Sequence, residues 1–136
     1  MCYIKRIGVL LVGLALSGCQ VKQETVGTEK LSADEIVGLF EGKTVESFNL
    51  ISGSTSFTYY HPDGRVMQER YWEKRKGAWK INEKGEMCLA MEGKPFSCRS
   101  IYREGIKLYK FRLDTEGQPE KIIRYRQFID GRVLDN

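Results

Sequence analysis

Two cysteines, Cys88 and Cys98, bracket the stretch CLAMEGKPFSC, and a lone histidine, His61, opens the stretch HPDG. Thiols at that spacing serve a metal site, a redox centre or a staple. Zinc takes four ligands at recognisable spacing, and the chain has 1 His. A redox dithiol is more usually CxxC. His61 and Asp63 bring an imidazole beside a carboxylate, the pairing of a base with its orienter. Pro-Asp-Gly is equally what a tight turn requires: Pro presets φ, Asp bonds nearby backbone and Gly permits positive φ. No third catalytic group follows from the spacing, so His61 to Gly64 reads as a turn. The 18 acidic residues are scattered without a distinguished pair for glycoside hydrolysis. Phosphate-loop, metal and Ser-His-Asp motifs are likewise missing from the sequence. The expectation is a protein that is not an enzyme and carries no metal or cofactor.

The choice between metal, redox centre and staple depends on compartment, which the first nineteen residues address. Lys5 and Arg6 precede an apolar run, 7–16, of signal-peptide length and too short to span a bilayer. Leu16-Ser17-Gly18-Cys19 then resembles the lipobox of bacterial lipoproteins, whose cysteine thiol takes a diacylglycerol before the peptidase cuts ahead of it. The resemblance implies a signal peptide over 1–18, lipidation with palmitate-type chains at Cys19, and stable membrane attachment through several acyl chains. Gln20 after the cysteine resembles the sorting pattern for the outer membrane, facing the periplasm, in a Gram-negative cell. Cys2 then leaves with the signal peptide and Cys19 is consumed by lipid. Cys88 and Cys98 remain in an oxidising compartment, where an isolated pair is normally a disulfide.

Without residues 1–18 the 22 basic groups fall to 20 against 18 acidic ones, a net charge of about +2. That is an ordinary soluble surface, not the one-signed field of a nucleic-acid binder. About a hundred folded residues suffice for one core, so one domain over 31–136 is expected, behind a polar tether over 19–30.

The elements that must position these residues begin with a helix at LSADEIVGLFEG. Ser32 and Glu35 form a capping box, Leu31 and Ile36 a hydrophobic staple, and Gly42 supplies the stop. Ala33, Ile36, Leu39 and Phe40 make one apolar stripe, which needs a sheet to cover. From Lys43 the period changes to two, with turn residues every few positions. Strands are expected near 43–50, 55–61, 65–73, 76–82, 86–91, 96–103, 106–113 and 120–129. Short loops force antiparallel neighbours, giving a mainly β meander of six to eight strands, as a curved sheet or small barrel, with one short amino-terminal helix. Trp79 and Ile81, Tyr109 and Phe111, and Ile123 and Tyr125 with Ile129 are the expected core face, with Arg124 and Arg126 opposite. Opposed hairpin residues keep a constant index sum, so Cys88 facing Cys98 centres the turn on Gly93. Cross-strand cysteines lie within disulfide reach. Closing so small a loop stabilises the fold by somewhat under about 3 kcal/mol.

EGKT (41–44), YYHPDG (59–64), GAWKI (77–81) and CLAMEG (88–93), with Cys98 beyond, resemble a group of small exported proteobacterial proteins classed as a domain of unknown function. There an aromatic-PDG turn is followed by G-x-W and a cysteine pair. The resemblance covers roughly 31–112 and implies a β-rich exported fold without naming an activity. Gly77 and Trp79 also resemble the G-x-W of lipocalins, which opens the first strand there and falls on about the fourth here.

Two roles follow. In the first, a tethered, non-catalytic module presents an aromatic and basic face around Tyr71, Trp72, Arg75, Arg124 and Arg126 to an envelope protein or cell-wall component. In the second, a lipocalin-like barrel takes an apolar or amphipathic small molecule in a mouth lined by Trp72, Trp79 and Tyr109. Short turns, which leave no lid, favour the first.

Overall fold

The computed structural model describes residues 28–134. The expected signal peptide, Cys2, the lipidation site Cys19 and residues 20–27 lie outside them. The described chain runs β1 (Thr28–Lys30), α1 (Ala33–Phe40), β2 (Lys43–Asn49), β3 (Thr55–Tyr60), β4 (Arg65–Arg70), β5 (Glu73–Ile81), β6 (Met87–Met91), β7 (Ser97–Arg99), β8 (Ile101–Glu104), β9 (Lys107–Leu113) and β10 (Pro119–Asp130). All ten strands form one antiparallel sheet in the order β1-β8-β9-β10-β2-β3-β4-β5-β6-β7. The count exceeds the expected six to eight for two reasons. Thr28–Lys30, read as tether, pairs with β8. The strand expected at 96–103 bends at Ser100 into two halves with different neighbours, β6 for β7 and β9 for β8.

That bend determines the shape. β7 ends the sheet and β8 stands second from its other end, yet one residue of chain joins them. The sheet therefore curls almost fully round, while its ladder stays open between β1 and β7. Ser100 continues the β8–β9 ladder by accepting a hydrogen bond at 3.1 Å from the Phe111 amide. Between closed barrel and curved sheet, the structure is the latter.

Helix α1 starts as the sequence dictates. The Glu35 amide donates to Ser32 Oγ at 3.2 Å and the Ser32 amide to Glu35 Oε1 at 3.1 Å, the reciprocal capping box. Ile36 and Phe40 enter the curl at one end, which we call the helix end. There they join Leu31, Val45, Tyr60, Val66, Trp79, Met87, Ile101, Leu108 and Tyr125 in one core. Phe40 is its hub, meeting Tyr60, Tyr125 and Phe128 edge-on at ring centroid distances of 5.1, 5.0 and 5.2 Å. Gly77 lets β6 close on β5: a Cβ there would stand 2.3 Å from the Ala90 carbonyl oxygen. The glycine of G-x-W is thus required by strand approach.

Three expectations are corrected. On β9 the core residue is Leu108, with Lys110 on the same face, so Tyr109 and Phe111 lie outside, where Phe111 meets Tyr102 edge-on at 4.9 Å. On β10 the register shifts between Tyr125 and Gln127, and the bulge turns Phe128 instead of Ile129 onto the core. Finally, the turn between β4 and β5 is Tyr71-Trp72, with Arg70 opposite Glu73, where the sequence suggested continued strand to 73. Neither residue is a turn former, which hid it.

Candidate functional site

Strands β2, β3, β4, β5 and β9 change character from the apolar core toward the other end, the loop end. Facing inward, Val45 gives way to Ser47 and Asn49 on β2, Tyr60 to Thr58 and Ser56 on β3, and Val66 to Gln68 and Arg70 on β4. On β5 the inward residue is Arg75, on β9 Lys110, and on β10 Ile123 with Tyr125. They enclose a polar cavity of ≈ 120 Å³ that also touches Ser54 and Leu89. Its lining contains three cations and no carboxylate.

None of these cations has a counter-ion among the described residues. Arg75 donates to Gln68 Oε1, and Gln68 Nε2 donates at 3.1 Å to Thr58 Oγ1, a relay that fixes the guanidinium. The Nε atoms of Arg70 and Arg75 are buried and make no hydrogen bond, and neither does the Tyr125 hydroxyl. Lys110 sits with Arg99 nearby; desolvation first, and that second positive charge, push its ammonium down to about 8. Burial holds the Tyr60 and Tyr125 phenols well above their ordinary value, so both stay neutral donors. An interior polar group without a partner costs free energy, and a buried cation costs more. Four such groups converging on one cavity make it the best-defined candidate site.

Antiparallel alternation sends the 50–54, 71–72, 92–96 and 114–118 loops to the loop end. Of the eight large apolar residues exposed among those described, Leu50, Ile51, Tyr71, Trp72, Phe96 and Leu113 belong to these loops or their borders. Ile106 and Val133 lie at the helix end. The sharpest point is the Tyr71-Trp72 turn, whose rings are 65% and 96% exposed. Tyr71 takes φ 58. A two-residue hairpin wants positive φ where Gly or Asn is usual, and a bulky residue held there costs of order 1 kcal/mol or more.

The residues singled out from sequence are dispersed. Cys88 and Cys98 do face each other across β6 and β7, with sulfurs at a bonding distance of 1.99 Å, and Met87–Arg99 and Leu89–Ser97 keep the same index sum. Of the face expected to combine Tyr71, Trp72, Arg75, Arg124 and Arg126, only the first two share the tip. Arg75 turns inward. Arg124 and Arg126 lie outside β10, Arg126 stacked on Phe48 at 4.1 Å and paired with Glu46 at 3.4 Å. The expected mouth of Trp72, Trp79 and Tyr109 is also corrected: Trp72 is at the tip, Trp79 is buried in the core donating to the His61 carbonyl at 2.9 Å, and Tyr109 is outside under Lys121 at 4.5 Å. Among the described residues the three stand apart.

His61 to Gly64 forms the turn between β3 and β4. Asp63 accepts from the Arg65 amide at 2.9 Å and from Arg65 Nε at 2.7 Å. These bonds, the backbone one foremost, hold its carboxyl below the usual range and tie it to the turn. An outer cleft of ≈ 670 Å³, lined by Tyr102, Phe111, Leu113 and Pro119, follows from the bend at Ser100; its rim includes Thr28, the first described residue.

A family described as a protein of unknown function (DUF995) matches residues 8–100. The chain belongs to that family. Nothing among the curated proteins matches it. The DUF995 match ends at the bend, so Arg70 and Arg75 fall within the matched span while Lys110 and Tyr125 lie beyond it.

Proposed function

We propose that this DUF995 protein is a lipid-anchored, non-catalytic interaction module of the cell envelope that binds another envelope component, protein or cell wall, through its loop end. The observation that supports this reading most is the Tyr71-Trp72 tip, where two aromatics are kept exposed in a turn that Gly or Asn would form at lower cost. Exposed aromatics of this kind dominate interface energetics. The helix end is closed by α1, and the described chain enters there through β1, antiparallel to β8. The described chain thus begins at the end opposite the tip, which favours a lipid anchor on Cys19 that leaves the tip free. The apolar small-molecule alternative is less supported, because Trp72, Trp79 and Tyr109, its expected lining, stand apart at the tip, in the core and on the outer face.

The decisive experiment places a photo-crosslinking residue at Trp72 or at Ile106, which is 97% exposed at the opposite end. Adducts with one discrete envelope component from position 72 alone are expected. Equal adducts from both positions, or none from 72, would sink the reading. Anchoring is checked apart: labelled palmitate should enter the wild type and not Cys19→Ala.

A further inference from the structure

We propose that the polar half of the interior is a binding site for a phosphoryl group, either free phosphate or a terminal phosphomonoester, held by Arg70, Arg75, Lys110 and the Tyr125 hydroxyl. It is independent of the loop-tip interaction, since these groups lie inside the sheet. Three observations support it.

The first is charge. A cavity of ≈ 120 Å³ carries three cations and no acid in its lining. Elsewhere Arg65, Arg103, Arg112, Lys121 and Arg126 each meet a carboxylate, whereas the three cations lining this cavity meet none. Arg124 Nε, on the outer face of β10, is likewise buried without a partner, but it stands alone there. The second is unused donors. The Nε–H groups of Arg70 and Arg75 and the hydroxyl of Tyr125, a residue only 5% exposed, are buried without acceptors. Native proteins rarely leave several such groups together, and an acceptor-rich ligand satisfies them all. The third is direction. Arg70 and Arg75 are diagonal neighbours on one face of β4 and β5, whereas Lys110 and Tyr125 approach from β9 and β10.

Donors arriving from several strands suit a tetrahedral group with acceptor oxygens on all sides; a planar carboxylate offers two oxygens on one edge. Guanidinium forks and an ammonium are the side chains that phosphate recognition uses. The volume admits a phosphoryl group and a few waters, since a water occupies about 30 Å³ of liquid. A lipid body or a nucleoside would remain outside, at the loop end. The low-lying Lys110 ammonium agrees: it is a charge desolvated without its counter-charge, which a dianion restores.

Isothermal titration of the full chain in detergent, at fixed ionic strength, should compare inorganic phosphate, glycerol 3-phosphate and acetate. Saturable binding of phosphate or glycerol 3-phosphate, with acetate far weaker, supports the site. Tighter binding of the ester assigns the phosphomonoester of a larger molecule, and equal binding assigns the free ion. Lys110→Met and Arg75→Met should each weaken binding about tenfold or more. Lys107→Met, which removes the same charge at the helix end, should change it less than about twofold. Lys110→Met should at the same time raise the melting temperature of the ligand-free protein, because a desolvated charge is removed, so lost binding there cannot be lost folding. Acetate binding as tightly as phosphate, an equal loss in Lys107→Met, or no saturation by either phosphate compound overturns the proposal.

Discussion

The two halves of the curled sheet's interior are lined by the same strands, yet they are built on opposite principles. At the helix end, Leu31, Ile36, Phe40, Val45 and Met87 are fully buried and apolar. Toward the loop end the same inward positions carry Ser47, Thr58, Gln68, Arg70, Arg75 and Lys110. Burial of apolar area stabilises one half at roughly 25 cal/mol per Å². The other half spends stability on polar groups that meet each other only in part. A small domain can hold such a region when its core is concentrated elsewhere, and α1 does this by plugging one end. Apolar packing and unpaired polar groups are thus divided along the strand axis.

Removing the plug tests that division most severely. Phe40→Ala takes away the ring that meets three others and should cost about 3 to 5 kcal/mol in chemical denaturation. A loss below about 1 kcal/mol would mean that the helix end is not the stabilising half. Gly77→Ala should follow at about 1 to 3 kcal/mol, since its Cβ is blocked by backbone across the strand pair and β5 and β6 must separate.

The Cys88–Cys98 staple ties β7, the end of the sheet, to β6. Reduction, or Cys88→Ala with Cys98→Ala, should lower stability by somewhat under about 3 kcal/mol while the core packing and strand content persist. Circular dichroism showing wholesale loss of strand on reduction would place the staple at the centre of the fold instead.

The polar half should announce itself through pH. Lys110 titrates near 8 when folded and, from its ordinary value of 10.5, higher when unfolded. Between those values the unfolded chain binds more protons, so the penalty of burying the ammonium, complete below 8, fades and stability rises with pH. Tyr60 and Tyr125 act in reverse, since their folded phenols ionise above the ordinary 10.0, and stability falls once unfolded tyrosines ionise. A shallow stability maximum near pH 9 to 10 is expected. Lys110→Met should abolish the rise and keep the fall.

Several features were legible from residues alone because they are local. The capping box from Ser32 to Glu35 and the register of Cys88 against Cys98 require only neighbouring residues or one hairpin, and both are present as expected. The strand limits on β2, β3 and β9 differ from expectation by about a residue. The Tyr71-Trp72 turn escaped because nothing in its chemistry signals a turn. That miss misplaced Arg75, since moving the turn changes which face a strand residue occupies. The bulge after Tyr125 did the same to Ile129 and Phe128. The inward cations could have been suspected from Arg70 and Lys110, which share parity with Val66 and Leu108, yet a charge in an alternating strand ordinarily marks the solvated face.

By itself the sequence determined the helix with its cap, the antiparallel pairing of neighbours and the disulfide across one hairpin, because chain proximity makes each of these contacts entropically cheap. Tertiary structure alone decided that the strand at Ser100 bends and serves both ends of one sheet, that α1 closes one end of the curl, and that cations from β4, β5 and β9 meet inside it. Those contacts join residues far apart in the chain, and they depend on sheet curvature and bulges that shift side-chain faces by single residues. Alternation along a strand records which face a residue occupies; it does not record what lies across the interior.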